Sequence, residues 1–339
     1  MTTNNPEILV SIRNVVKHFD ISGGWLEQIK FDNGRITRKQ SIVKAVNGIS
    51  FDIKKGQTVS VVGESGCGKS TLARTVMGLY PPNSGEILYQ GKRIDNLSDA
   101  KLKHYRTRMQ MVFQDPYASL NPRMTVGKTL REPIRFHRPE LKEGQVAEKV
   151  AEVMAKVGID PDWQDRFPHE FSGGQRQRIS IARALALDPD FIVADEPIAA
   201  LDVSIQAQIL NLMMDLQEKS DLTYLFISHD LSVVEHISDV VAVMYLGSLC
   251  EMAPKKQLFD NPAHPYTQAL LSAIPKLGHE FSHEKLKGDI PSPINLPAGC
   301  VFHTRCKYVN DRCRSEIPAQ RAGDGNTIVA CHAVEEKRI

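Results

Sequence analysis

The chain has 339 residues, of which 42% are hydrophobic and 24% charged, the composition of an ordinary globular protein. Its length predicts one large domain accompanied by a smaller one. The net charge is only +2, so bulk electrostatics do not indicate nucleic-acid binding. No apolar run approaches the roughly 18 residues of a membrane helix, and the N-terminus lacks the basic and then apolar segments of a secretion signal. We therefore expect a cytosolic chain without membrane spans.

Short apolar runs alternate with segments of helical spacing along most of the chain. Strands are predicted over 8–19, 58–62, 109–114, 191–195, 224–228 and 240–246. Helices are predicted over 70–79, 173–187 and 203–219, with further helical segments in 125–170 and a loop or insertion at 20–42. This alternation predicts an α/β fold with a largely parallel sheet. Proline and glycine become frequent after about residue 255, which predicts a domain over 1–255 and an accessory domain over 256–339.

A glycine-rich loop follows the apolar strand 58–62. It fits the pattern G-x(4)-G-K-[S/T] between a strand and a helix, which is the context of a phosphate-binding loop. Its backbone N–H groups and the positive end of the helix suit phosphate oxygens. Lys69 is expected to bind the β- and γ-phosphates of ATP, and Ser70 to ligate Mg²⁺. The predicted nucleotide-binding residues of the loop are Gly63, Ser65, Gly66, Cys67, Gly68, Lys69, Ser70 and Thr71.

Two carboxylates end the apolar run 191–194. Asp195 suits the Mg²⁺ shell, and Glu196 is then free to orient or deprotonate water. Buried strands often end in acidic residues, so this pattern alone does not decide between a catalytic and a structural role.

The order of the motifs is more specific than any one of them. The motifs are, in chain order, the phosphate loop, Gln114, Ser172-Gly173-Gly174-Gln175 after Phe171, Asp195-Glu196, Asp202 and His229. By itself the motif at 172–175 could be no more than the cap of a helix. Together, residues 8–250 resemble the ABC ATPase family, whose signature is Ser-Gly-Gly-Gln.

The resemblance implies a fold and an assembly. The fold would be a P-loop NTPase of ABC type, with a RecA-like core, a helical subdomain at about 115–180 and a small loop-rich C-terminal domain. The family forms head-to-tail dimers in which ATP and Mg²⁺ lie between the phosphate loop of one subunit and the signature, 172–175, of the other.

The resemblance also assigns roles to single residues. Gln114 would approach Mg²⁺ and water, His229 would contact the γ-phosphate, and Phe19 would stack on adenine. Plain core packing is the alternative for Phe19. Ile198 and Ala199 precede Asp202 where the family commonly has hydroxyl residues, which removes a hydroxyl that could bond across the dimer.

Three segments indicate a branch of the family. The segments 20–42, 115–126 and 261–271 are similar to those in ATPase subunits of dipeptide, oligopeptide and nickel importers. That similarity implies a second, different ABC ATPase subunit, two integral-membrane permease subunits and an extracytoplasmic solute-binding protein, with no nucleic acid. The chain would lie on the cytoplasmic face of the inner membrane, bound through the permeases. The alternatives are a soluble ABC ATPase of translation or repair, an exporter, or an importer of nickel or a sugar derivative.

Four of the six cysteines lie in the last 40 residues: Cys300, Cys306, Cys313 and Cys331. In a reducing cytosol such a group favours a metal over disulfides. Their spacing lacks the close pair typical of structural zinc sites. Importers of this branch with this cysteine pattern carry a [4Fe–4S] cluster, and we expect one here by resemblance. Zinc and unliganded thiols are the alternatives.

Overall fold

The structure of the chain is a computed structural model that describes residues 7–22, 29–32, 35–38, 41–273, 286, 288–323 and 326–339. Three predicted regions lie partly outside these ranges: the first residues of the predicted domain 1–255, part of the insertion 20–42 and part of the accessory domain 256–339.

The elements alternate along the chain as the sequence predicts. The strands are β1 (Ile8–Asp20), β2 (Ile29–Asp32), β3 (Arg35–Arg38), β4 (Ile42–Lys54), β5 (Thr58–Val62), β6 (Ser84–Tyr89), β7 (Lys92–Arg93), β8 (Met109–Val112), β9 (Phe191–Asp195), β10 (Thr223–Ile227), β11 (Val240–Tyr245), β12 (Ser248–Pro254), β13 (Arg321–Ala322) and β14 (Ile328–Val329). The α-helices are α1 (Lys69–Val76), α2 (Asp99–Arg108), α3 (Pro116–Ser119), α4 (Val126–His137), α5 (Glu143–Lys156), α6 (Gly173–Leu185), α7 (Val203–Ser220), α8 (Leu231–Ile237), α9 (Lys255–Asp260), α10 (Pro265–Ser272), α11 (Asp311–Ser315) and α12 (His332–Glu335). Two 3₁₀ turns cover Pro161–Asp165 and Pro168–Glu170.

The chain divides into two compact units built from several segments. The first contains the chain up to Leu9 together with Ile53–Ser60 and Asn96–Ser228. The second contains Val10–Asp52, Val61–Asp95 and His229–Ile339. The division near residue 255 remains a prediction. Among the residues that the structure describes, every helix falls short of the length or the apolar character of a membrane span.

The first unit holds parallel strands and most of the long helices. β9 pairs in parallel with both β10 and β8, with Phe191 opposite Thr223 on one side and Met109 on the other. Both β9 and β10 are buried along their whole length. Strands buried on both faces appear in a sequence as continuous apolar runs, and β9 therefore matches its predicted bounds. The helical segment 125–170 contains α4, α5 and the two 3₁₀ turns.

The second unit is largely antiparallel, so the prediction of a mainly parallel sheet is wrong for this part of the chain. β1 pairs antiparallel with β6 in a sheet of order β4-β1-β6-β7, and β11 pairs antiparallel with β12. The reason is local. Two-residue turns join β6 to β7 and β11 to β12, and in the latter Leu246 and Gly247 both have positive φ, the conformation of a tight hairpin. The insertion 20–42 is likewise more than a loop, since β2 and β3 form a hairpin.

The segment after residue 255 shares a core with strands that precede it. Phe302, Cys300 and Cys313 belong to the same buried cluster as Val241 and Tyr245 of β11. Strand β14 pairs with β12. Within the second unit, the C-terminal segment therefore uses β11 and β12 as the surface on which its apolar side chains are buried.

The start of α6 packs tightly on the start of α7 in the first unit. A Cβ atom on Gly174 would lie 2.5 Å from Cγ2 of Ile205, whereas one on Gly173 would lie 3.5 Å from Cδ2 of Leu201. The first distance is a severe overlap, and the second is ordinary van der Waals contact. Only the second glycine of the pair is therefore required by packing within this chain.

The two glycines provide a matched pair for a stability measurement. Gly174→Ala should destabilise the chain by about 1–3 kcal/mol, the usual cost of overpacking a tight contact, and lower its melting temperature. Gly173→Ala should leave the melting temperature nearly unchanged, because the added methyl group has room. Equal melting temperatures of the two variants in differential scanning calorimetry would contradict this account of the α6–α7 contact.

Candidate nucleotide site

The loop between β5 and α1 has a backbone that its surroundings force close to neighbouring strands. A Cβ atom on Gly63 would lie 2.1 Å from the carbonyl oxygen of Met244, and one on Gly68 would lie 2.0 Å from that of Ala45. Both glycines also have positive φ, 148° and 103°. No other residue fits either position, so the loop is held in a single narrow path.

Lys69 lies across the inside of this loop. Its Nζ donates hydrogen bonds to the carbonyl oxygens of Gly63 (2.8 Å) and Glu64 (3.2 Å), and the residue is only 5% exposed. Lys69 also begins α1, whose free N–H groups carry a positive partial charge. The loop therefore concentrates positive charge and N–H donors at one point, which is the requirement for binding a triphosphate.

Cys67 contributes packing to the loop. Its side chain is buried, and burial raises the pKa of its thiol although the ammonium of Lys69 opposes the rise. Its amide donates to the carbonyl of Glu64 at 3.2 Å. Ser65 and Gly66, by contrast, are exposed at the tip of the loop.

Two further predicted residues belong to the same unit as the loop. Phe19, at the end of β1, is half-buried and meets Tyr80 edge-on with ring centroids 5.4 Å apart. The ammonium of Lys17 lies 5.0 Å from the Phe19 ring centre. Its stacking on adenine remains a prediction, and Tyr80 is an aromatic neighbour that the sequence did not indicate. His229 is exposed just before α8.

In the first unit, the acid pair at the end of β9 is divided by the backbone. Asp195 is 2% exposed, whereas Glu196 is partly exposed and adopts a left-handed conformation with φ 49°. Its amide donates to the carbonyl of Ile227 at 3.1 Å, which holds this unfavourable conformation in place. Nε2 of Gln114 donates to Oε2 of Glu196 at 3.1 Å. The structure thus brings together two of the predicted catalytic residues, 82 positions apart in sequence.

The signature motif forms a reciprocal cap at the start of α6. Oγ of Ser172 accepts from the amide of Gln175 (3.3 Å), and Oε1 of Gln175 accepts from the amide of Ser172 (2.9 Å), which is a capping box. Ser172 and Gly173 are exposed. Asp202 is exposed immediately before α7, on which Gly174 packs. A helix start with exposed amides and a fixed hydroxyl is suited to bind an anion from outside the chain.

The predicted site residues therefore fall into two groups. The phosphate loop, Phe19 and His229 lie in the second unit, and Gln114, the acid pair, the signature and Asp202 lie in the first. Sequence reasoning missed two residues that contact the loop, Tyr266 and Arg305. Both come from the C-terminal segment, far from any nucleotide motif, so no local pattern connects them to the loop.

Of the four C-terminal cysteines, Cys300 and Cys313 lie in one buried cluster against which Cys306 packs, and the amide of Cys300 donates to the carbonyl of Cys313 at 2.9 Å. Burial raises the pKa of the Cys300 thiol to about 12, and repulsion from each of the other three adds to that rise. Burial raises the pKa values of Cys306 and Cys331, and repulsion from Cys313 adds to the rise of both. All are free thiols. Within the described ranges, however, no group of three or more His, Cys, Asp or Glu side chains is arranged to hold a metal ion.

Comparison with known proteins places this geometry in a family. Residues 46–199 match the family described as ABC transporter, and residues 250–313 match the C-terminal region of oligopeptide/dipeptide transporters. The chain is 53% identical to the oligopeptide transport ATP-binding protein AppF of Bacillus subtilis (strain 168), covering 98% of this chain and 99% of that one. It is 52% identical to the dipeptide transport ATP-binding protein DppF of Escherichia coli (strain K12), covering 88% and 89%.

Solved structures agree with the sequence comparisons. The dimeric, post-hydrolysis structure of the ATP-binding cassette MJ0796 bound to ADP and Pi superimposes with a TM-score of 0.61 at 27% identity, covering 73% of this chain and 99% of that one. The fold is thus the predicted P-loop NTPase fold of ABC type. The chain belongs to the ABC transporter family, among the oligopeptide and dipeptide transport ATP-binding proteins.

Proposed function

We propose that this chain binds and hydrolyses ATP to drive the import of di- or oligopeptides. The observation that carries the proposal is the phosphate loop, in which Lys69 lies across the loop on the carbonyls of Gly63 and Glu64. Lys69 and the loop amides would bind the phosphates, while Ser70 and Asp195 would hold Mg²⁺. The ion supplies charge neutralisation for phosphoryl transfer when bound.

We assign the action on the attacking water to Glu196. Its backbone is left-handed at the end of β9, and Gln114 donates to its carboxylate. A carboxylate in that setting can accept a proton or orient water, and Gln114 would fix its position. His229 would contact the γ-phosphate, as the family resemblance implies.

Replacement of Glu196 separates binding from turnover. Glu196→Gln keeps the shape and can still accept the hydrogen bond of Gln114, but it removes the negative charge. ATP affinity should survive while turnover falls at least about 100-fold, the scale of general-base assistance. The measurement is phosphate release by the assembled transporter, with Glu170→Gln, a carboxylate outside the acid pair, as control. A Glu196→Gln transporter that works at the wild-type rate would refute the assignment.

The signature supports a shared active site. Ser172 and Gly173 present a hydroxyl and amides outward at the start of α6, and the similar cassette MJ0796 was solved as a dimer. We infer that the γ-phosphate bound by one chain contacts the signature of a second ABC subunit, which in this branch would be a different chain.

The shared site predicts a weakly active isolated chain. Because an isolated chain must find a signature partner by weak association, its ATPase rate per chain should rise with protein concentration and rise further when the partner subunit is added. Activity and sedimentation measured on the same samples test this. Full activity from a species shown to be monomeric would be incompatible with a shared site.

We infer the class of solute and the partner subunits from the proteins to which the chain is similar. The similar proteins are described as oligopeptide and dipeptide transport ATP-binding proteins, which favours a peptide over nickel or a sugar derivative. Two membrane permeases and a solute-binding protein would complete the system, and the chain would bind the permeases at the cytoplasmic face of the inner membrane. No observation favours a role in translation or repair.

The four C-terminal thiols support a further proposal, that they ligate one [4Fe–4S] cluster. Cys300 and Cys313 lie in one buried cluster against which Cys306 packs, and burial raises the pKa of the Cys300 thiol. The cationic core of a cluster would offset the cost of forming thiolates in this partly buried setting. Zinc is the alternative metal for these thiols.

Anaerobic purification tests the cluster. The protein should be brown, with about four iron and four sulfide per chain, and Cys306→Ser should remove the colour. Cys67→Ser, in the phosphate loop, is the matched control and should leave the colour intact. A colourless protein with one zinc per chain would establish zinc, and a metal-free protein would exclude both.

A further inference from the structure

The C-terminal segment contacts the phosphate loop at its second residue, Glu64. Oη of Tyr266, on α10, accepts a hydrogen bond from the amide of Glu64 at 3.0 Å. Nη1 of Arg305 donates to both carboxylate oxygens of Glu64, at 2.8 Å and 3.1 Å. Backbone and side chain of one loop residue are thus both bound by residues that follow position 255.

This ion pair is sheltered from solvent. The side chain of Arg305 is 7% exposed and that of Glu64 is 22% exposed. Arg305 also donates to Oη of Tyr245 at 3.4 Å, and the rings of Tyr245, Tyr266 and Phe302 pack together with centroids 4.8–5.3 Å apart. Burial lowers the pKa of Arg305, but its hydrogen bonds to Glu64 and Tyr245 outweigh burial, so the net shift is upward.

Glu64 is also joined to the phosphate-binding lysine. Its carbonyl accepts from Nζ of Lys69, while its carboxylate places a negative charge on the loop predicted to bind a triphosphate. Without a counter-charge, that carboxylate would repel the phosphates, and in a partly buried setting the repulsion is screened less than in bulk water.

We propose that Arg305 is a positioning residue for ATP binding: it neutralises the carboxylate of Glu64 and, together with Tyr266, fixes the phosphate loop in its binding conformation. This inference rests on the proposed function as an ATPase. It gives the C-terminal segment a role in nucleotide affinity in addition to any role in holding a metal cluster.

The decisive experiment is a charge-rescue test on the full-length chain, with MgATP affinity measured by calorimetry. Arg305→Gln should weaken MgATP binding about 10-fold, because it leaves Glu64 unpaired beside the phosphates. Adding Glu64→Gln to that variant should restore most of the affinity, since no unpaired charge then remains. The deficit of the single variant should also shrink at high salt, which screens the repulsion.

Two other variants serve as controls. Arg312→Gln removes an arginine of the same segment that pairs with Glu316, Glu335 and Glu336 and not with the loop, and it should leave MgATP affinity unchanged. Lys69→Ala should abolish binding if the loop is the nucleotide site. Circular dichroism and melting temperature establish that each variant is folded.

Arg305→Lys, which keeps the positive charge, should bind MgATP nearly as well as wild type, and it replaces Arg305→Gln in the experiment if that variant does not fold.

The outcomes distinguish a failure of the proposed nucleotide site from a failure of the role proposed for Arg305. If Lys69→Ala binds MgATP normally, the proposed nucleotide site itself is wrong. If Lys69→Ala loses MgATP binding while Arg305→Gln binds like wild type, the nucleotide site stands and only the positioning role of Arg305 is refuted. If Arg305→Gln binds weakly and Glu64→Gln fails to rescue it at any salt concentration, the neutralisation is overturned.

Discussion

The close approach of the phosphate loop to two strand carbonyls is the constraint on which the second unit depends. Gly63 passes the carbonyl of Met244 on β11, and Gly68 passes that of Ala45 on β4. The turn between β11 and β12 is bonded to the same loop, since the amide of Gly247 donates to the carbonyl of Cys67 at 2.9 Å. The loop therefore keeps its shape only while β4, β11 and the β11–β12 turn keep theirs. A binding site for a highly charged ligand benefits from this, because a preformed loop need not be ordered when the ligand arrives.

The same hairpin explains why the C-terminal segment belongs with the nucleotide-binding part of the chain. β11 presents one buried surface, with Tyr245 at its end, and the rings of Tyr266 and Phe302 cover it. A segment rich in proline and poor in periodic apolar residues cannot form a core alone. By burying its few large side chains on β11 it becomes ordered, and this packing also brings Tyr266 and Arg305 to Glu64.

The first unit relies on a different device, a strained residue at the end of a buried strand. β9 is apolar and buried throughout, so it is a rigid base for the residues that follow. Glu196 leaves it in a left-handed conformation that non-glycine residues rarely adopt. The hydrogen bond from its amide to the carbonyl of Ile227 on β10 compensates part of that cost. As a result, the carboxylate of Asp195 is buried, while that of Glu196 is partly exposed and accepts a hydrogen bond from Gln114. Two adjacent acids thereby acquire different surroundings.

The sequence by itself determined the features that are written locally. The phosphate loop, the signature cap and the buried strands β5 and β9 can be read from short patterns, because each is imposed by the few residues that form it. The sequence also indicated that four cysteines belong together, although not what they hold. Tertiary structure alone decided the rest. The pairing of β1 with β6 and of β12 with β14, the fixing of Gly174 but not Gly173 by packing, and the contact of Arg305 with Glu64 all depend on contacts between distant segments. Such contacts leave no periodicity or motif in the chain, because the residues that satisfy them need to match in space and not in sequence.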